Sequence, residues 1–278
     1  METNRTVLHF SQSNLQDFRE CPRRFQLKVV DQISWPAAYL EPLSGLEQAT
    51  EIGNKFHQLC HQYFSGIDPG TLEISITNPD LKNMWENFIE FGMEIDAESR
   101  YSEIILSSPF LGHHLIAKYD LVIQTPDGKF IIFDWKTSSR KPSRTILSQR
   151  FQTFLYPYIF TKAGNSVFKT TQPAPSDISM NYFYPMSSDP EEIFPYSDSL
   201  YVENIRVLTN TITEIEDFIS SGRVFPLTDN IEECSKCIYR SLCERGVRAG
   251  EIDIFAEIDQ EDLSDIYFDL DDINEIEF

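Results

Sequence analysis

Residues 114–136 read HLIAKYDLVIQTPDGKFIIFDWK. Two apolar runs flank Thr125-Pro126-Asp127-Gly128, whose Pro-Asp-Gly core suits a tight reversal, so the stretch is expected to form a β-hairpin. Side chains two apart on a strand share a face. Phe130, Ile132, Asp134 and Lys136 therefore line one side of the second strand, and Ile131, Phe133 and Trp135 the other. On the first strand His114, Ile116, Lys118, Asp120 and Val122 fall together, which brings a second carboxylate within reach of the first. Two carboxylates and a lysine on adjacent strands can hold a divalent cation and manage a water. The same spacing also describes a plain charged pair at a sheet edge.

Outward from the hairpin, the chain alternates helix and strand patterns. Ser13-Asn14-Leu15-Gln16 has the form of a capping box, and Pro22 suits the first turn of a second, basic helix, leaving Cys21 at the junction. Residues 31–47 contain proline and read as irregular. A helix is expected from Ala49 to Ser65 on the stripe Ile52, Phe56, Leu59 and Tyr63, with His57 at its margin; alone, such a histidine is an ordinary boundary residue. Further helices are expected over 80–97, over 147–162 with a kink at Pro157, and over 200–221, where Ile205, Leu208, Ile212, Ile215 and Ile219 form a stripe. Strands are expected at 103–107, 114–124, 129–135 and 178–184. The fold class is thus α/β, a mixed sheet flanked by helices. Walker A and dinucleotide-binding glycine motifs and internal repeats are all missing.

With 278 residues the chain can bury a full core. It shows neither a signal-peptide pattern nor a membrane-spanning apolar run, which makes a cytoplasmic location the expectation. The formal net charge of −21 argues at first against a nucleic-acid partner. Its distribution reverses that. Residues 251–278 carry twelve acids and no Lys or Arg, and the remainder holds 32 acids against 23 bases. Within that remainder, residues 135–176 contain Lys136, Arg140, Lys141, Arg144, Arg150, Lys162 and Lys169 without one acid, a segment suited to a phosphate backbone. The chain is expected to divide into a domain over 1–248 and an acidic tail over 249–278 whose scattered Ile, Phe and Tyr suit docking on a partner. Five cysteines, three of them clustered late (Cys234, Cys237 and Cys243, after Cys21 and Cys60), point to a metal or cluster site rather than a disulfide framework.

In this order the features resemble the PD-(D/E)XK nuclease superfamily, specifically its RecB-like branch with an iron–sulfur cluster, to which AddB-type helicase–nuclease subunits and CRISPR-associated spacer-acquisition nucleases belong. SQSNLQDFRECPRRF resembles the N-terminal helix with its first cluster cysteine, and EIGNKFHQLCHQYF carries the motif histidine at His57. KYDLV supplies the motif aspartate at Asp120, with Ala117 where the family often has glycine. FDWKTS supplies Asp134 and Lys136, and QTFLY supplies Gln152 and Tyr156. The resemblance implies a restriction-endonuclease-like sheet in which Asp120, Asp134, His57 and the Trp135 carbonyl ligate Mg2+ or Mn2+. Lys136 would orient the attacking water or stabilise the transition state, while Gln152 and Tyr156 position substrate or Lys136. Arg140, Lys141, Arg144 and Arg150 would hold the strand.

ECSKCIYRSLCERG spaces its cysteines as Cys-x2-Cys-x5-Cys. With Cys21 this resembles the split ligation of a 4Fe-4S cluster, tetrahedral zinc being the alternative. Such a cluster would staple the N- and C-terminal segments together, and Cys60 would be left as a small hydrophobe. The implied function is a metal-dependent deoxyribonuclease, an exonuclease acting on single-stranded or free DNA ends in repair, recombination or foreign-DNA processing. The alternative is an end-binding or docking subunit of a helicase–nuclease or integrase complex. No membrane partner is expected.

Overall fold

The computed structural model describes residues 7–33, 44–138, 140–169 and 172–246. The acidic tail and its boundary at 248 lie outside the described residues. In chain order the elements are β1 (His9–Phe10), α1 (Gln12–Glu20), α2 (Pro22–Phe25, continued by a π turn over Gln26–Val30), α3 (Ser44–Phe64), α4 (Pro69–Ile74) and α5 (Pro79–Met93). Then come β2 (Ser99–Phe110), β3 (His113–Gln124), β4 (Phe130–Trp135), α6 (Arg144–Gln149), α7 (Phe151–Ala163) and α8 (Asn165–Phe168). The last are β5 (Ile178–Phe183), β6 (Glu191–Pro195), α9 (Asp198–Ser221) and α10 (Ile231–Lys236).

All six strands form one mixed sheet: β3 pairs antiparallel with β2 and β4, β4 parallel with β5, and β5 antiparallel with β6. The parallel step needs a crossover, which α6, α7 and α8 provide. β1 pairs parallel with β3 at His114 and Leu115, while β4 takes β3 from Leu121 to Gln124. Two apolar layers cover the sheet. On one face Leu115, Ala117, Tyr119, Ile132, Met180 and Tyr182 meet α1, α7 and α9 through Leu15, Leu155, Ile159, Leu208, Ile212 and Ile215. On the other, Leu121, Ile123, Phe133, Trp135 and Phe183 meet α3 and α5 through Phe56, Leu59, Cys60, Trp85 and Phe88. Burying each Leu, Ile, Met or Phe side chain among these contributes about 1.5–3 kcal/mol. Among the described residues no helix is long and apolar enough to cross a membrane.

The α/β class and the hairpin agree with the sequence expectation, and several local expectations need correction. The α1 capping box is built by Ser11 and Asn14, each side chain accepting the other's backbone N–H, two residues before the expected start. Gln16, placed inside that box by the sequence, instead accepts the Phe151 N–H at 3.2 Å and caps α7 from a neighbouring element. Residues 147–162 are not one helix. Arg150 is extended (ψ 143°) and separates α6 from α7. Pro157 does not end α7, ten of whose thirteen residues are buried. Packing on every side offsets the roughly 3 kcal/mol that an interior proline costs. β2 spans twelve residues rather than five, because its alternation is interrupted in the middle.

Candidate active site

The interruption lies where β2 and β3 cross the end of β4. In β3, Leu115, Ala117, Tyr119 and Val122 belong to the α7 face, but Leu121 and Ile123 belong to the α3 face. β2 changes sides in step: Ile104 and Leu106 face α7, whereas Ser102 meets His61 of α3 at 2.8 Å. The ladder joins Ser102 to Leu121 and Ile104 to Tyr119, and skips Glu103 and Asp120 between them. Glu103 takes a left-handed backbone (φ 55°), which costs a residue other than glycine about 1–2 kcal/mol. Thus two carboxylates stand opposite one another where both strands change faces without a change of register.

Across the other edge of β3, the last β4 pair is Leu121 with Phe133. One step further the register sets Asp120 against Asp134. Here the Asp120 side chain stands in for strand pairing: its Oδ2 accepts the Trp135 N–H at 2.7 Å. Its Oδ1 lies 3.1 Å from His57 Nδ1. An ionised carboxylate only accepts, so Nδ1 carries the proton where it faces Asp120. Burial works to lower the His57 pKa, but Asp120, with Asp134 and Glu103 beyond it, outweighs burial and leaves it raised. Burial likewise works to raise the Asp120 pKa, and His57, the Trp135 N–H and Lys136 together hold it below the usual carboxylate value.

Among the described residues, His57, Glu103 and Asp120 form the group whose ligand atoms all lie within 4.8 Å of one another. One imidazole and two carboxylates suit a hard or borderline divalent ion such as Mg2+ or Mn2+. Glu103 was not singled out in the sequence. Its signal is an acid inside an apolar strand, meaningful only once β2 is in register with β3. Lys118 pairs with it from the solvent side.

Asp134 is buried next to this group and is gripped by other residues. Gln152 Nε2 donates to its Oδ1 at 2.6 Å, and Lys136 Nζ lies 3.1 Å from its Oδ2. Gln152 therefore orients the acid directly. Tyr156 is buried with its ring 5.0 Å from that of Tyr119, which donates to the Tyr156 carbonyl. Trp135 and Phe151 are core residues, and so is Cys60, whose thiol burial pushes its pKa well up.

The basic positions divide. Arg140 is exposed. Lys141 donates to the carbonyls of Asp189 and Glu191 and pairs with Asp189 and Glu192, while Arg144 pairs with Glu192. Arg150 is the junction residue between α6 and α7.

Cys21, Cys234, Cys237 and Cys243 line one cavity with Arg24, Tyr239 and Arg240. The two chain segments that carry them are joined around it: Arg23 N–H to the Pro226 carbonyl, Phe225 N–H to Gln26 Oε1, and Tyr239 Oη to the Ile33 carbonyl at 3.0 Å. Burial, and then the nearby thiols Cys21 and Cys243, push Cys237 up to about 11. Arg245 Nη1 lies 3.6 Å from Cys234 Sγ.

The distorted centre of the sheet thus brings His57, Glu103 and Asp120 together beside the buried Asp134 and Lys136 pair. The family model of the PD-(D/E)XK nuclease superfamily matches residues 9–244, and the chain belongs to that superfamily. Over 124 residues the chain is 28% identical to the uncharacterized protein UU146 of Ureaplasma parvum serovar 3, a match that takes in 44% of this chain and 58% of that one. A candidate exonuclease from Eubacterium rectale shares the fold, with a TM-score of 0.52 at 12% identity over 88% of this chain and 91% of that one. The structure of SSO0001 superposes with a TM-score of 0.42 at 13% identity, covering 88% of this chain and 89% of that one.

Proposed function

We propose that the chain is a Mg2+- or Mn2+-dependent deoxyribonuclease of the RecB-like branch, working as an exonuclease on single-stranded DNA ends. The observation that carries this is the convergence of His57, Glu103 and Asp120 to within 4.8 Å, beside the buried Asp134–Lys136 pair. His57, Glu103, Asp120 and Asp134 would hold the metal. When bound, it activates a water and neutralises charge on the phosphate. Lys136, held against Asp134, presents its ammonium to the negative charge that develops on the phosphate oxygens. Gln152 keeps Asp134 aimed, and Asp120 keeps His57 aimed. The candidate exonuclease of like fold supports removal from ends over internal cleavage.

For the four cysteines we propose a 4Fe-4S cluster. The donor set fits: four thiols share one cavity lined by arginines. A single tetrahedral zinc draws its thiolates to roughly 3.8 Å of one another. A 4Fe-4S cluster takes the same four thiolates, and the split spacing, with Cys21 distant from the Cys-x2-Cys-x5-Cys run, favours it. Residues 251–278 are the proposed contact for a helicase or integrase partner, or an acidic restraint on the nuclease. Deleting them should raise cleavage at low salt if they restrain, and leave it unchanged if they only dock.

The test uses end-labelled single- and double-stranded DNA with Mg2+, Mn2+ or EDTA. Asp134→Ala and Lys136→Ala should abolish metal-dependent cleavage in folded protein. Undiminished cleavage by either variant refutes the assignment. Binding without cleavage by the wild type favours the end-binding subunit instead.

A further inference from the structure

We propose that Arg144, braced on Phe194 and shielded by Glu192, is the subsite for the phosphate next along the strand from the scissile one, and that Glu192 sets how tightly it is held. This rests on the DNA-nuclease reading above. Asp134 pairs in register with Tyr182, and Tyr182 with Glu192, so the three lie on one rung across β4, β5 and β6. Residues opposite one another on paired strands project from the same face. Tyr182 and Phe194 both pack in the α7-side core, which identifies that face. At the usual spacing between neighbouring strands, Glu192 stands roughly 10 Å from Asp134. Lys136, whose ammonium is 5.8 Å from the centre of the Tyr182 ring, occupies the interval. The rung itself is buried beneath α7, with Tyr182 fully enclosed, so it sets the spacing of its two ends, and a strand with its scissile phosphate at Lys136 reaches the exposed Arg144 from the solvent side.

The two cations at the far end differ. Lys141 is only 11% exposed and has several acceptors besides Glu192: Asp189 Oδ2 at 3.0 Å and the carbonyls of Asp189 and Glu191 at 3.1 and 2.6 Å. It fastens the segment after Lys136 to the β5–β6 hairpin. Arg144 is 57% exposed, and its guanidinium lies 4.4 Å from the centre of the Phe194 ring. Its ion pair is with Glu192. Arg144 is the exposed half of the pair, Glu192 being only 14% exposed, and a guanidinium grips phosphate through two parallel hydrogen bonds that can form from the solvent side. If a phosphate displaces Glu192, the Phe194 ring still holds the guanidinium in position. Glu192 thus competes with the strand for the same donors and repels an approaching phosphate.

The experiment measures binding of a fluorescein-labelled single-stranded oligonucleotide to the full chain in EDTA across a salt series, with cleavage in Mg2+ assayed in parallel. Arg144→Ala should weaken binding several-fold and lower the slope of log K against log salt by about 0.7, the loss of one single-strand phosphate contact. Glu192→Gln should tighten binding several-fold, and the double variant should lose that gain. Wild-type affinity and slope in Arg144→Ala, or weaker binding in Glu192→Gln, overturn the subsite while wild-type cleavage leaves the nuclease reading standing. A wild-type chain that neither binds nor cleaves DNA overturns both.

Discussion

Asp120 accepts the backbone N–H of Trp135 through Oδ2 at 2.7 Å, so a side chain replaces strand pairing where β4 passes beyond its ladder with β3. That bond ties the motif aspartate to the strand carrying Asp134 and Lys136, and sets the spacing between the two halves of the site. Its other oxygen faces His57, which joins α3 to the same point. One carboxylate therefore positions three elements before any metal binds.

Asp120→Ala and Asp120→Asn should accordingly differ in stability while agreeing in activity. Alanine leaves the buried Trp135 N–H without its acceptor, a cost of about 1–3 kcal/mol. Asparagine retains an acceptor oxygen for that N–H but loses the charge a divalent ion requires. Urea unfolding in EDTA should show the alanine variant clearly destabilised and the asparagine variant much less so, with cleavage lost in both. Equal stability of the two would show that the Trp135 bond contributes little.

Glu103 separates backbone from chemistry. Glu103→Gln preserves the backbone and removes the charge; Glu103→Gly relieves the left-handed conformation, worth about 1–2 kcal/mol, against the entropy that glycine adds to the unfolded chain. Both variants should stay within about 1 kcal/mol of wild type in stability. Both should bind Mn2+ at least ten-fold more weakly by calorimetric titration. Wild-type Mn2+ affinity in Glu103→Gln would remove Glu103 from the ligand set.

Gln152 acts on Asp134 through one charge-assisted hydrogen bond. Gln152→Leu should cost about 1.5–3 kcal/mol of stability, the usual worth of a hydrogen bond to a charged group. Loss of a partner that orients a metal-holding carboxylate typically lowers activity 10–100-fold. Chemical denaturation and initial cleavage rates check the two effects separately. A fall in stability with unchanged rate would leave Gln152 as a core residue only.

Much of this was legible in the sequence, and the failures share a physical cause. The hairpin and the α3 and α9 stripes follow from periodicity and local spacing, and the order of His57, Asp120, Asp134, Lys136 and Gln152 from the resemblance to the superfamily. Glu103 escaped because strand alternation is a local rule, and the change of faces at residues 103 and 120 is made by two strands together. Gln16 was misplaced for a related reason. Its side chain caps a helix 135 residues away, so no local pattern distinguishes that use from a capping box on its own helix. Lys141 and Arg144 read as a free basic run because their partners, Asp189 and Glu192, lie in the β5–β6 hairpin, some 48 residues later.

The cysteine cavity offers the last test, and it is independent of catalysis. Cys21 and Cys243 are far apart in sequence yet line one cavity, so a group bound by both closes a loop of most of the domain. By the loop-closure measure used for disulfides, such a link is worth roughly 5 kcal/mol. Protein purified without oxygen should carry iron and acid-labile sulfide with a broad visible absorption. Cys21→Ala should lose both and melt at a lower temperature. Cys60→Ala, an equal change in side-chain size inside the α3-side core, should keep its iron and lose only a little stability from the small void. Zinc in place of iron in the wild type would replace the cluster by a tetrahedral site. Wild-type iron content in Cys21→Ala would show that the N-terminal segment is held without the cluster, by packing of Phe18, Phe25 and Phe225 and by the hydrogen bonds around the cavity.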